Sequence, residues 1–424
     1  MNKVQGPTVR KTLTVATSRI SWQPLIILVV AIVVMSVVVL SGEELKHVPP
    51  AAPSFVVLHS FDGADGGSPY AGLLRDSAGN LYGTTAHYGS GGCFFGTSGC
   101  GTVFKLSPTG TETVLHSFAG SPDGGNSVAG LVQDAAGNLY GTTLAGGSSS
   151  GECRYRDGCG VVFKLSPTGT ETVLHTFSGG YDGDEPYAGL LRDPAGNLYG
   201  TTRFGGATST CLPPIGCGVV FELIRCNSGY DFKVLYTFTG GTDGLQPVAG
   251  LVRDAAGNLY GTNVAAVFKL SPGGTFTVLH SLERTGGEPV SGLILDAAGN
   301  LYGTTAGGGA SGLGAVFKLS PTGAETVLYN FTGGADGGSP RCDYLIRDGS
   351  GNLYGTTYFG GAFHFGVVFK VSPSGTETVL YSFTGGADGR QPQAGLIQDP
   401  AGNLYGTTAF GDAAGAGVVY KITP

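Results

Sequence analysis

Seven histidines, eight cysteines and a recurring aspartate are the side chains here that could hold a metal or move a proton. Zinc sites need His and Cys at short fixed spacings, and a metalloprotease needs two His one helical turn apart. Neither pattern occurs. His59, His116, His175 and His280 share one recurring position, where Tyr236, Tyr329 and Tyr381 stand in other copies. A position that accepts either ring suits an amphipathic side chain on an outer strand. His47, His87 and His364 lie outside it and form no pair at ligand spacing. No histidine metal site and no cofactor are expected.

The recurring acid is Asp65, Asp123, Asp182, Asp243, Asp336 and Asp388, each followed by glycine. The fifth copy has Thr285-Gly286-Gly287-Glu288 instead. The plainer reading is a turn in which Asp accepts bonds from its own backbone. The sharper one is a partial ring of carboxylates that binds calcium, which takes six to eight oxygens. The spacing lacks the alternating acids of a calcium loop, so the turn is the expectation and calcium the weaker candidate.

Cys93 and Cys100, Cys153 and Cys159, and Cys211 and Cys217 form three close pairs in three successive copies. Such spacing suits short loop-closing disulfides in an oxidising compartment. Cys226 and Cys342 remain, and are expected as free buried thiols. The segments around the pairs are rich in aromatics and arginine, His87-Tyr88, Arg154-Tyr155-Arg156 and Arg203-Phe204, and the matching segment of the sixth copy has Tyr358-Phe359 with His364. Exposed aromatics and Arg on a rigid scaffold are what binding surfaces use, and aromatic faces also suit sugar rings. The alternative is that these rings merely cover their own loops.

The elements that must position these residues come from one repeated unit. Gly-Asn-Leu-Tyr-Gly-Thr begins at Gly79, Gly137, Gly196, Gly257, Gly299, Gly351 and Gly402, at intervals of 42 to 61 residues. A period of that size signals a propeller or a solenoid. In the first unit four runs rich in Val, Leu, Tyr, Phe and Thr read as strands: Ala71–Asp76, Leu81–Thr85, Thr102–Leu106 and Glu112–Phe118. Turn residues separate them, as in Ser107-Pro108-Thr109-Gly110. Four strands per unit, repeated, is a propeller blade.

The ends of the chain discriminate between the two architectures. The last unit runs through Gly395–Gln398, Leu404–Thr408 and Val418–Ile422 and lacks a fourth strand. Phe55-Val56-Val57-Leu58-His59-Ser60-Phe61 matches Thr113-Val114-Leu115-His116-Ser117-Phe118, so the missing strand sits at the start. Closing a ring this way removes the exposed edge that a solenoid keeps. The expected fold is all-β: a seven-bladed propeller of four-stranded blades, closed by the N-terminal strand joining the last blade.

The unit Ala394-Gly395-Leu396 … Asp399-Pro400-Ala401-Gly402-Asn403-Leu404-Tyr405-Gly406-Thr407-Thr408 resembles the GloVer tandem repeat, over residues 54–424. The resemblance implies an exported bacterial repeat protein, of a group described by its varied surface anchors. It implies no activity and no functional residues. This sequence departs in placing its hydrophobic segment at the N-terminus, with no C-terminal sorting segment expected after Pro424.

Residues 1–19 carry Lys3, Arg10, Lys11 and Arg19 and no acid, and read as a basic cytoplasmic region. Residues 20–41 form an apolar stretch about long enough to span a bilayer as one helix. Positive charge before it sends the remainder outward. Retained, it is a signal anchor and membrane contact; cleaved after Ser41, it is a signal peptide. Residues 42–53 read as a linker and 54–424 as the propeller.

With 12% charged residues, a net charge of -7 and no basic stripe, nucleic acid is not an expected partner. A monomer is expected. No catalytic signature such as G-x-S-x-G, H-E-x-x-H or a P-loop occurs. The sequence therefore favours an extracytoplasmic binding or scaffold module on the cell envelope, with a glycan or protein ligand. A carbohydrate- or lactone-directed propeller enzyme is the alternative, drawing on non-repeating acids such as Asp157, Asp184, Glu185, Glu288 and Asp343. A purely structural envelope protein is the third reading.

Overall fold

The computed structural model describes residues 53–424 apart from 91–92, 94–98, 149–152, 154–157, 207–210, 212–214, 283–290 and 342. The basic region, the expected apolar helix and nearly all of the linker lie outside the described residues. No described helix is long and apolar enough to cross a membrane.

The repeat folds into seven four-stranded antiparallel sheets. In the first blade the strands are Leu74–Arg75, Leu81–Thr84, Thr102–Leu106 and Glu112–Ser117, from the inside outward. The inner strand is shorter than the six residues expected for Ala71–Asp76. Its upper half bonds sideways instead, to the preceding blade. The hydroxyl of the first repeat Thr in each blade donates to a carbonyl at the start of the next inner strand. Thr84 reaches Ala129 O, Thr142 reaches Ala188 O and Thr356 reaches Ala394 O, at 3.1, 3.1 and 3.2 Å. Thr407 completes the circle with Pro69 O at 2.9 Å.

The opening strand closes the ring as its sequence implied. Ser54–Ser60 pairs antiparallel with Val418–Thr423, setting Phe55 opposite Ile422 and Val57 opposite Tyr420. Blade-to-blade packing is aromatic. The Phe that follows six of the seven outer strands, with Leu282 in the remaining one, meets the third-strand ring of the next blade edge to face, as in Phe61–Phe104 at 5.1 Å and Phe118–Phe163 at 5.2 Å. All four rings are fully buried. The repeat glycine exists for this packing, because a Cβ on Gly83 would lie 2.6 Å from the Phe104 ring.

The remaining repeat residues hold the turn on the opposite face. Asp76 accepts from Asn80 N at 2.8 Å, Asn80 Nδ2 at 2.7 Å and Tyr82 OH at 3.1 Å. The same three bonds recur in the other six blades, for example on Asp348 and Asp399. Burial alone would raise the Asp76 carboxyl, but the bonds from Asn80 and Tyr82 outweigh it and hold the group below its usual value. Asn and Tyr of the hallmark hexamer are thus structural in every blade.

Candidate functional site

The inter-blade loop and the loop between a blade's second and third strands lie on one face and pair with each other. Backbone bridges join Gly67 to His87, Gly125 to Ala145, Asp184 to Phe204, Gly338 to Phe359 and Arg390 to Phe410. This face surrounds the mouth of a central channel that contains a cavity of about 920 Å³.

The calcium candidates sit in this face with their oxygens occupied by turn donors. Asp243 accepts from Tyr236 OH at 2.9 Å, Thr239 N at 2.9 Å and Thr239 Oγ1 at 2.6 Å. Asp336 and Asp388 repeat that pattern with Tyr329 and Tyr381. Asp65, Asp123 and Asp182 pair with Nε2 of His59, His116 and His175 at 2.7, 3.2 and 3.1 Å. This explains why His and Tyr interchange: each brings an N–H or O–H to the same carboxylate. At the fifth junction, which lacks the Asp, His280 Nε2 lies 3.4 Å from Glu325 Oε2 instead. Among the described residues no three metal-ligating side chains converge.

The three close cysteine pairs are disulfides, Cys93–Cys100, Cys153–Cys159 and Cys211–Cys217, with Cα atoms 5.3, 5.1 and 5.6 Å apart. They are consistent with an extracytoplasmic protein. Cys226 is free, as expected, but half-exposed rather than buried. The third blade's hairpin is longer than the others, Val219–Cys226 with Gly229–Thr237, and carries Cys226 to its tip beyond the shared packing. Cys342 lies outside the described residues.

The ligand candidates divide into four groups. His87, Arg203 and Tyr358 come together around the mouth with residues the sequence reading passed over. Tyr70 lies 6.3 Å from the His87 ring and 6.1 Å from Phe410, ring centre to ring centre. Burial raises the Tyr70 phenol, and the nearby phenols of Tyr187 and Tyr358 add to the rise. Arg203 pairs with Glu185 at 3.7 Å and stacks 4.9 Å above its neighbour Phe204. Tyr88 and Phe359 instead cover the adjoining inter-blade loops, against Gly63 and Gly338. His364 is exposed at a turn with φ of 66°. Arg154, Tyr155 and Arg156 lie outside the described residues.

Below the mouth the inner strands present glycine to the channel in six blades: Gly72, Gly130, Gly189, Gly250, Gly292 and Gly395. The sixth blade departs from this pattern. From Pro340 to Asp348 it holds one residue more than its counterparts, such as Pro186 to Asp193, and Tyr344 replaces the glycine. The Tyr344 ring fills the space in front of Gly395 and Gly72. Asp343 Oδ2 accepts from Gly72 N at 2.8 Å, and Asp343 O accepts from Gly292 N at 2.5 Å. Two other blades therefore clamp this residue. Burial pushes its carboxyl up to about 7, against the lowering effect of the Gly72 amide.

Of the described non-repeating acids, only Asp343 lines the cavity. Asp184 pairs its backbone with Phe204, Glu185 turns to Arg203, and Asp157 and Glu288 lie outside the described residues. The sequence signal for Tyr70, Tyr187, Arg341 and Gln393 was the position after the inner-strand proline, which changes from blade to blade while its neighbours repeat.

No curated protein matches the chain in sequence. Solved structures match its fold at low identity. A gluconolactonase from Xanthomonas campestris is 14% identical, with a TM-score of 0.43, over 87% of this chain and 89% of that one. A luciferin-regenerating enzyme is 14% identical, with a TM-score of 0.43, over 88% and 96%. A chain of the mitotic checkpoint complex is 13% identical, with a TM-score of 0.54, over 88% and 94%. At such identities the likeness concerns the fold alone. Residues 45–153, 151–266 and 263–424 each match the Gloeobacter/Verrucomicrobia repeat, and with most of its length so covered the chain belongs to that repeat family.

Proposed function

We propose that the protein is an extracytoplasmic binding module that captures a small polar ligand, of sugar-like chemistry, at the mouth of its central channel. One observation carries this reading. The sevenfold repeat is broken where the channel and its mouth are lined, and the residues that break it are Tyr70, Tyr187, Arg203, Arg341, Asp343 and Tyr344. A scaffold alone has no use for that asymmetry. Tyrosine faces and a few fixed polar groups over apolar walls are how cavities of this size hold ring ligands. The disulfides fit export, and residues 20–41 serve as the anchor or signal that effects it.

Saturation-transfer NMR against a panel of mono- and disaccharides is the direct test. Binding that is lost in Tyr70→Ala and Tyr187→Ala, with melting temperature unchanged, supports the reading. A panel with no binder, or binding indifferent to both changes, would falsify it. Membrane association of the full chain, lost on deleting residues 1–41, checks the anchor.

A hydrolytic reading has one observation in its favour, the Asp343 carboxyl poised near neutrality inside the cavity. Glycosidase chemistry asks for a second carboxyl within about 10 Å, and among the described residues none lines the cavity. Turnover of aryl glycosides or lactones by the wild type and none by Asp343→Asn would favour that reading over simple capture.

A further inference from the structure

Resting on the channel as the ligand site, we propose that its ligand carries a protonated amine, which the Asp343 carboxylate holds among tyrosine rings. Asp343 owes its place to the extra residue in the sixth blade. Its carbonyl is bonded to the fifth blade through Gly292, and its carboxylate to the first through Gly72. The group is therefore fixed in the wall of the cavity it lines.

No described cation pairs with it, although two arginines are near. Arg203 turns to Glu185 at 3.7 Å and to the face of Phe204. Arg341 donates from Nε to Ser339 Oγ at 3.2 Å and lies 5.4 Å above the Tyr358 ring. Both guanidinium groups are engaged elsewhere, which leaves the carboxylate to the cavity. A half-buried carboxylate with one amide donor and no counter-charge is unfavourable, and it holds a proton up to about 7.

A ligand ammonium supplies the missing charge and displaces that proton. The Tyr344 ring stands beside Asp343 in the chain, and Tyr187 is close enough to feel its charge. Aromatic faces beside a carboxylate attract a cation by the ring quadrupole as well as by charge. A hydroxyl could offer only a hydrogen bond, and an anionic group would be repelled. Tyr70, Tyr187, Tyr344, Arg203, Arg253 and Arg341 are the other ionisable groups that line the cavity, with Glu185 paired to Arg203 beside it. Of these, Tyr187 is held above its usual value by burial and then by Asp343.

The test uses glucamine, sorbitol and gluconate, six-carbon polyols that end in an ammonium, a hydroxyl and a carboxylate. Calorimetry at pH 8 should show glucamine binding roughly tenfold tighter than sorbitol, the margin a charged partner adds to a hydrogen bond. Gluconate should be weakest. Glucamine affinity should fall as pH drops from 8 to 6 and Asp343 takes up its proton. Asp343→Asn should erase both the preference and the pH dependence. Tyr187→Ala, at the partly exposed mouth, should weaken glucamine with melting unchanged, and so tests the site even if the first variant folds poorly. Sorbitol or gluconate binding as well as glucamine overturns the amine while leaving the channel reading intact. Binding of none of the three overturns the amine, and the channel reading then stands or falls on the saccharide panel.

Discussion

Glu112, Glu171 and Glu377 begin the outer strands of three blades, and each leaves one buried carboxyl oxygen without a hydrogen-bond partner. Burial pushes all three up to about 7, and the neighbouring Asp65, Asp123 and Asp336 add repulsion. In three other blades the same position is Phe232, Phe276 or Phe55, whose ring stacks 3.9, 4.2 or 3.9 Å from His175, Tyr236 or Tyr381. The glutamates occupy an aromatic berth. Their folded pKa is above the unfolded value, so the folded state binds more protons than the unfolded one. That contribution to stability is complete below about 4.5 and lost as pH rises through about 7. The repeat Asp residues act oppositely, since their lowered pKa favours folding above 3.8 and the gain disappears in acid. Melting temperature should therefore peak near pH 5 and fall towards pH 8. Replacing all three glutamates by Gln should flatten the fall. A wild-type melting temperature that holds level or climbs between pH 5 and 8 would show these carboxyls to be ordinary. None of this was visible in the sequence, where the glutamates look like solvated strand ends.

Three loops use disulfides where other blades use apolar side chains. A side chain on Gly240 would collide with the sulfurs of Cys211 and Cys217, one on Gly333 with Leu313 and one on Gly385 with Phe365. Each group therefore plugs the same place, between a blade's long loop and the inter-blade loop that follows. Cys153 and Cys159 are buried in a cluster with Val162, Phe177 and Val219, which confirms a packing role. Converting Cys211 and Cys217 to Ser should cost about 2 kcal/mol from the freed loop, with a further loss from exposed neighbours. Urea denaturation reads this directly. Equal stability in the presence and absence of reductant would mean that packing alone holds these loops. The pairing was legible from spacing, because loops this short can close only on themselves. The shared berth was not, because Cys, Leu and Phe occupy it from different loop lengths.

At the scale of the molecule the closing strand sets the cooperativity. Phe55 stacks 3.9 Å from Tyr381 and 5.4 Å from Tyr420, so the first strand bridges the last two blades. Thr407 then joins the last blade to the first. Deleting residues 54–61 uncovers the Val418–Thr423 edge and the fully buried Tyr420. That variant should unfold in more than one step and self-associate through the open edge. Light scattering and calorimetry would register both changes. A monomer that melts in one step at the wild-type temperature would make the closure dispensable.

The repeat, its four strands and the ring closure were readable because a blade is built from local turns and a short pattern recurring seven times. Each copy repeats the same physical choice, so chance agreement is small. The half-length inner strands were not readable, since the sideways threonine bonds that shorten them belong to the neighbouring blade. The turn role of the recurring aspartates was foreseen, but their His and Tyr partners needed the outer strands in place. Of the aromatic loops, Arg203 and Tyr358 border the channel mouth while Tyr88 and Phe359 pack on the adjoining inter-blade loops. That division rests on which way each loop folds back. Asp343 and Tyr344 show the limit most clearly. Their departure from the repeat is plain in sequence, but only the closed circle brings the sixth blade's extra residue against Gly72, 271 positions away. A carboxylate's environment is set by what surrounds it in space, and here the surroundings come from three different blades.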